Sequence, residues 1–239
     1  EAKKKNLPIY KRGDMLAHIT SLKKNIVVAG SHGKTTTTSL IASIFAKAKL
    51  DPTIINGGVI NSIGNSAKLG LSEWSILESD ESDGSFVKVP STYTVITNID
   101  REHMDYYKSL SDLKKHFIKF MMRVPSFGKT FICFDDKNNR EICKSSKIKN
   151  ILTYGYSKNS NFIIKNVSVN KNNSLFDLEI NLPNKKKKYI KKFAIPLIGS
   201  HNIRNATAAI AVSYFIGVSQ NDIKNSLKTF KGVERRFNK

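Results

Sequence analysis

The sequence predicts an α/β fold: a mostly parallel sheet flanked by helices, with a small antiparallel β extension. Three observations carry this. Short apolar runs alternate with helical stretches from Asn25 to Phe134. Three of those runs, 25–29, 74–77 and 93–97, end at Gly30, Glu78 and Asn98, which suits strands that deliver polar groups to one edge of a sheet. Beyond Ile151 the pattern becomes short, alternating and turn-rich, as antiparallel strands require.

Taken in order, Glu1 to Lys24 is a lead-in, extended around Pro8-Ile9-Tyr10, with a short helix over Asp14 to Leu22. Asn25-Ile26-Val27-Val28-Ala29 is an apolar run that stops at Gly30 and reads as a buried parallel strand. A helix follows from about Lys34 to Lys49, with Leu40, Ile41, Ile44, Phe45 and Ala48 on one face. Thr53-Ile54-Ile55 is strand-like, and the Gly- and Asn-rich stretch 56–70 reads as a loop. Trp74 to Leu77 is a strand ending at Glu78, and Tyr93 to Thr97 is one ending at Asn98. A helix over Ser111 to about Arg123 and a strand over Lys129 to Phe134 complete this half.

Residues 151–198 read as the antiparallel extension, with strands over Phe162 to Val169, Leu175 to Leu182 and Tyr189 to Leu197, and a hairpin turn at Asn172-Asn173. An Ala-rich helix runs from His201 to Phe215. Ser219 is a good N-cap for a last helix reaching about Phe230.

Composition narrows the function classes. The 239 residues suit one large or two small domains, and 40% hydrophobic with 25% charged content reads as a soluble globular chain. No apolar run approaches the roughly 20 residues that span a bilayer, and no signal peptide is visible, so no membrane partner is expected. Cys133 and Cys143 match no metal or redox spacing, which suits a reducing cytoplasm. The net charge of +21 raises nucleic-acid binding as one function class. Against it, only seven of the forty basic residues are Arg, and the lysines are scattered through loops. The dense cluster at Lys185 to Lys188, with Lys191 and Lys192, lies between strand-like segments and reads as a solvated hairpin. No nucleic-acid partner is therefore expected.

The chemistry starts at Gly30-Ser31-His32-Gly33-Lys34-Thr35-Thr36, set between a strand and a helix. Glycines let backbone approach phosphate, and a helix N-terminus attracts anions. Lys34 can meet β- and γ-phosphates, and the Thr35 hydroxyl can ligate Mg²⁺. The usual six-position spacing would put the first glycine at Val28, so the loop is a shortened variant. Glu78 ends an apolar strand, like the Mg²⁺-holding acid of P-loop enzymes. It also opens Glu78-Ser79-Asp80-Glu81-Ser82-Asp83, four carboxylates that need cations or solvent to relieve their repulsion. An exposed acidic loop is the alternative. His103 follows the Tyr93 strand and so shares the sheet edge of Lys34 and Glu78. On residue chemistry alone it is a weak candidate, since a lone His is more often structural than a ligand and Mg²⁺ prefers oxygen. Together these residues predict an Mg²⁺-ATP site.

The motifs Gly30 to Thr38, Glu78 to Phe86, Thr97 to Asp105, His201-Asn202-Ile203-Arg204-Asn205-Ala206 and Glu234-Arg235-Arg236-Phe237 occur in the order found in the Mur ligases, and the chain resembles that family over nearly its whole length. The resemblance implies that Gly30, Ser31, His32, Gly33, Lys34, Thr35 and Thr36 bind the ATP phosphates. Thr35, Glu78 and His103 would hold Mg²⁺. His201, Asn202 and Asn205 would meet the adenine side, and Arg236 a phosphate. Lys34, Glu78 and His103 become the catalytic set.

The implied activity is ATP-driven amide formation in peptidoglycan precursor synthesis. UDP-N-acetylmuramate and L-alanine are the implied substrates, and a muropeptide-recycling relative is the alternative. Several members carry a carbamylated lysine fourteen residues after the metal histidine. Here Phe117 stands there, as in the alanine-adding branch, with Lys114, Lys115 and Lys119 close by in register. The family has three domains. The resemblance makes residues 1–24 a linker from an N-terminal UDP-binding domain and 25–239 the central ATP-binding domain, without the C-terminal domain.

Overall fold

The computed structural model describes residue 1 and residues 3–233. The elements are α1 (Arg12–Thr20), β1 (Lys24–Ala29), α2 (Lys34–Lys47), β2 (Thr53–Ile60), β3 (Asn65–Lys68), β4 (Trp74–Glu78), β5 (Tyr93–Ile96), α3 (Leu110–Met122), β6 (Lys129–Cys133), α4 (Lys137–Ser145), β7 (Ile151–Gly155), β8 (Phe162–Val169), β9 (Ser174–Ile180), β10 (Lys188–Ile195), α5 (Ser200–Ile216) and α6 (Gln220–Lys228). A 3₁₀ turn, Ser85–Lys88, follows the acidic segment. All strands join one sheet in the order β10-β9-β8-β7-β6-β5-β1-β4-β2-β3. Pairing is parallel from β2 through β4, β1, β5, β6 and β7 to β8. It is antiparallel at β2–β3, β8–β9 and β9–β10.

β1 sits centrally because its side chains suit burial on both faces. Ile26, Val27, Val28 and Ala29 are completely buried. Burying a Val or Ile stabilises by roughly 1.5–3 kcal/mol. Val28 and Ile26 face a core with α2, α5 and α6, while Val27 and Ala29 face one with α3 and α4. At the opposite end of the strand, buried Asn25 donates to the carbonyls of Thr20 and Pro90, both at 2.9 Å, and takes a hydrogen bond from Ser75. These bonds fasten the end of α1 to the sheet.

Four elements depart from the sequence reading. The stretch 56–70 is a strand pair rather than a loop: β2 continues to Ile60 and turns into β3. Its glycines hid this, although one of them, Gly57, is there to let Glu78 approach. α2 is buried on nearly all sides from Thr35 to Phe45 rather than on one face, because α5 covers it. The Ala-rich run in α5, with Ala206, Ala208, Ala209 and Ala211 fully buried, permits that close approach. α4 has no counterpart in the sequence reading. It is nine residues long, polar, and capped by Asp136, which accepts from the Asn139 amide.

Finally, residues 151–198 are not wholly antiparallel. β7 pairs in parallel with both β6 and β8, and the antiparallel part begins at β8. Its core side chains, including Phe162, Phe176 and Phe193, belong to the same cluster as α2 and β1. The segment is an extension of one sheet over one core. The Asn172-Asn173 turn is present, closed by Asn170, whose side chain accepts from the amides of Asn172 (3.0 Å) and Asn173 (2.8 Å). Among the described residues no helix is long and apolar enough to cross a membrane.

Candidate nucleotide and metal site

The phosphate loop owes its shape to β5. The Gly30 backbone has φ +130°, and a Cβ there would lie 2.2 Å from Thr97 Oγ1. The Ser31 amide donates to the Asn98 carbonyl at 3.0 Å, and the His32 amide to Asn98 Oδ1 at 2.8 Å. The His32 carbonyl accepts from Thr97 Oγ1 at 2.7 Å and Asn98 Nδ2 at 3.0 Å. Ser31 Oγ accepts from the Asp100 amide at 2.8 Å. Gly33 then caps α2 in the left-handed region, φ +83°, where a Cβ would lie 2.6 Å from Asn205 Oδ1. The loop is short because Val28, where longer loops have a glycine, is still inside the strand. The amides that open α2 have no partners within the helix and face this rim.

The charged groups gather below the loop. Lys34 Nζ donates to Glu81 at 2.8 and 3.1 Å, to the Gly30 carbonyl at 2.6 Å and to the Ser31 carbonyl at 3.3 Å. The Glu81 side chain is fully buried, and burial pushes its carboxyl above the usual range, against the opposing pull of Lys34. His103 Nε2 lies 3.9 Å from Glu81, and potential ligand atoms of Asp80, Glu81 and His103 all fall within 4.8 Å of one another. A second donor group lies at the end of β4. Thr35 Oγ1 donates to Glu78 at 3.0 Å, and the Gly57 amide donates to the same carboxylate at 2.7 Å. A Cβ at Gly57 would come within 2.8 Å of the Glu78 carboxylate oxygens and would push that carboxylate out of its place.

These two groups fit Mg²⁺. The donors are oxygen-rich, and Glu78 retains acceptor capacity after its two hydrogen bonds. A cavity of about 440 Å³ opens over Lys34, Asn56, Glu78 and Asp80, with Gly13 and Leu16 of α1 in its wall.

On the other side of the loop lies a cavity of about 350 Å³ lined by His32, Asn98, Asp135, His201, Arg204 and Asn205, among others. Asp135 is fixed by the amides of Tyr156 (2.9 Å) and Ser157 (3.0 Å), with Arg204 at 3.8 Å. Burial lifts the Asp136 carboxyl and pushes the Cys133 thiol up to about 11, so this cysteine stays protonated at neutral pH. His32 belongs to this cavity and Lys34 to the first, so the loop forms the wall between them.

The sequence-derived residues are therefore largely brought together. Lys34, Thr35, Glu78 and His103 converge, and His201 and Asn205 line the second cavity. Thr36 is buried in the first turn of α2. Asn202 is buried and donates to the Ile198 carbonyl at 2.8 Å, which holds the start of α5 rather than lining the cavity. Arg236 lies outside the described residues. Phe117 is fully buried against Phe86, 5.0 Å between ring centroids, so no lysine occupies that position. Lys114 points instead to Glu141, and Lys119 is exposed. Sequence reasoning did not single out Glu81, Asp80, Asn98, Gly57 or Asp135 as site residues. For Glu81 and Asp80 the crowding of carboxylates was the available signal; the others are found only through contacts across the sheet.

A family model described as the Mur ligase middle domain matches residues 28–213. The chain is 67% identical, over its whole length, to the UDP-N-acetylmuramate–L-alanine ligase of Pelagibacter ubique, and covers 52% of that protein. It is 44% identical to the enzyme of the same name from Rickettsia bellii, covering 50% of it. Among solved structures, a UDP-N-acetylmuramate–alanine ligase from Thermotoga maritima superposes with a TM-score of 0.83 at 24% identity, over 99% of this chain and 52% of that one. The chain thus spans about half the length of the curated relatives it matches.

Proposed function

The chain belongs to the Mur ligase family, and we propose that it supplies the Mg²⁺-ATP site of an enzyme that joins L-alanine to UDP-N-acetylmuramate. The observation that carries this reading is the convergence of Lys34, Thr35 with Glu78, and His103 with Asp80 and Glu81 beside one cavity. The names of the relatives and the buried Phe117 support alanine as the amino acid. Residues 1–24 would lead in from a UDP-binding domain, and a C-terminal domain would close the site; both are part of the proposal.

The chemistry is an acyl transfer driven by ATP. The lactyl carboxylate attacks the γ-phosphorus, ADP leaves, and an acyl phosphate forms. The alanine amine then attacks the acyl carbon, and phosphate departs from the tetrahedral intermediate. Amides of the 30–36 loop bind and orient the phosphates. Lys34 offsets charge developing on the transferred group. Thr35, Glu78 and His103, with Asp80 and Glu81, would hold Mg²⁺. When bound, Mg²⁺ supplies Lewis-acid neutralisation of phosphate oxygens. The second cavity, with His201 and Asn205, accepts the nucleoside, so the loop directs the phosphates from one cavity to the other. Two free thiols, Cys133 and Cys143, suit a cytoplasmic setting.

The test is ADP release by the full-length protein. The reading predicts turnover only when ATP, UDP-N-acetylmuramate and L-alanine are all present. Turnover without alanine, or preference for a tripeptide acceptor, would favour the recycling reaction instead.

A further inference from the structure

Lys34 has nothing left to offer a phosphate in this structure. Its three ammonium protons face four acceptors, two of them on the Glu81 carboxylate. Glu81 in turn is fully buried and cannot follow Lys34 toward a ligand or turn to water. Tyr107 holds its backbone in place by donating to the Glu81 carbonyl. If Lys34 moves to a phosphate, a buried carboxylate loses its counter-charge, which is strongly unfavourable unless another cation replaces it. Asp80 and His103 are already assembled around Glu81 at ligand distances.

We infer that Glu81 couples nucleotide binding to divalent-cation binding. Its carboxylate is neutralised by Lys34 in the empty site, and by a divalent cation shared with Asp80 and His103 once Lys34 turns to the phosphates. Lys34 and the cation are thus alternative partners of one buried charge. This rests on the nucleotide reading above but adds a property that reading does not require. A carboxylate that merely stiffened the loop would leave metal and nucleotide coupled only through the metal's own attraction to the phosphates, and its neutralisation would not change the gain from Mg²⁺.

The test is equilibrium binding of ADP to the full-length protein, with Mg²⁺ and with EDTA. Glu81→Gln keeps the shape and removes the charge. It is expected to strengthen metal-free ADP binding about tenfold, and to shrink the gain from Mg²⁺ by a similar factor. Glu81→Asp, which restores the carboxylate, should restore the coupling. In a Lys34→Ala background, Glu81→Gln should leave metal-free affinity unchanged, because the effect runs through Lys34. A gain that persists there would reveal plain charge repulsion and overturn the inference, as would unchanged or weaker ADP binding by Glu81→Gln itself.

A second measurement does not depend on that variant. Without nucleotide, Lys34→Ala should bind Mn²⁺ more tightly than wild type, since the lysine no longer fills the cation's place. Equal or weaker Mn²⁺ binding would overturn the inference. Failure of the wild-type protein to bind Mg²⁺-ADP at all would remove the nucleotide reading as well.

Discussion

The two ends of the sheet handle charge in opposite ways. At the carboxyl ends of β1, β4 and β5, acidic groups crowd around one lysine, and the central pair is withdrawn from water: Glu81 is fully buried and the Lys34 side chain is 13% exposed. At the β8–β10 end, lysines are numerous and solvated. Lys185, Lys186, Lys187 and Lys188 are all exposed, with Lys187 resting on Glu179 at 2.6 Å and Lys188 over the Tyr214 ring. Surface pairs of that kind contribute about 0–1 kcal/mol. The large positive charge of the chain therefore says little about its chemistry, while one buried pair says much. What the antiparallel end contributes is core: Phe176 and Phe193 stack with centroids 5.6 Å apart inside the cluster shared with β1 and α2.

Substitutions can break this contrast. The largest effect is expected from Phe176→Ala, which should lower stability by about 3–5 kcal/mol in thermal or denaturant unfolding and leave Mg²⁺-ADP affinity of the folded protein unchanged. Lys34→Ala should reduce Mg²⁺-ADP affinity on the order of a hundredfold, read by calorimetric titration. It should also lower stability, because Glu81 loses its partner, and adding Glu81→Gln should recover that loss. Gly33→Ala should destabilise by about 1–3 kcal/mol and weaken nucleotide binding, since the left-handed backbone and Asn205 both oppose a side chain. Replacing Lys185, Lys186, Lys187 and Lys188 together with serine should shift stability by less than about 0.5 kcal/mol and leave binding intact. A strong loss of nucleotide affinity in that variant would mean that the lysine-rich end takes part after all.

The difference in legibility follows the same division. Lys34, Thr35, Glu78 and His103 were readable because each follows a short apolar strand, and parallel strands bring their carboxyl ends to one edge. Glu81, the neighbour of Lys34 and His103, was visible only as one of four crowded carboxylates, since its burial and its bond to Lys34 depend on tertiary packing. Gly57 misled, because a glycine that makes room for Glu78 looks like loop composition in the sequence. The short polar helix α4 gives too weak an apolar stripe to stand out, with Asn139 and Ile142 as its buried residues. The stretch that forms β7 was grouped with the antiparallel region without being recognised as a strand, because five residues carry no mark of strand direction. Phe117 is the opposite case: the family resemblance marked the position as one where several members carry lysine, and here the ring is fully buried against Phe86 in a cluster that also holds Phe120.

Whether one buried edge or the charged surface binds the nucleotide is decided by titrating Mg²⁺-ADP into wild type, Lys34→Ala and the four-lysine variant under identical salt. A buried-edge site gives saturable binding by the wild type, an equal Kd for the four-lysine variant, and a Kd raised on the order of a hundredfold for Lys34→Ala. Equal binding by wild type and Lys34→Ala, with loss in the four-lysine variant, would contradict it.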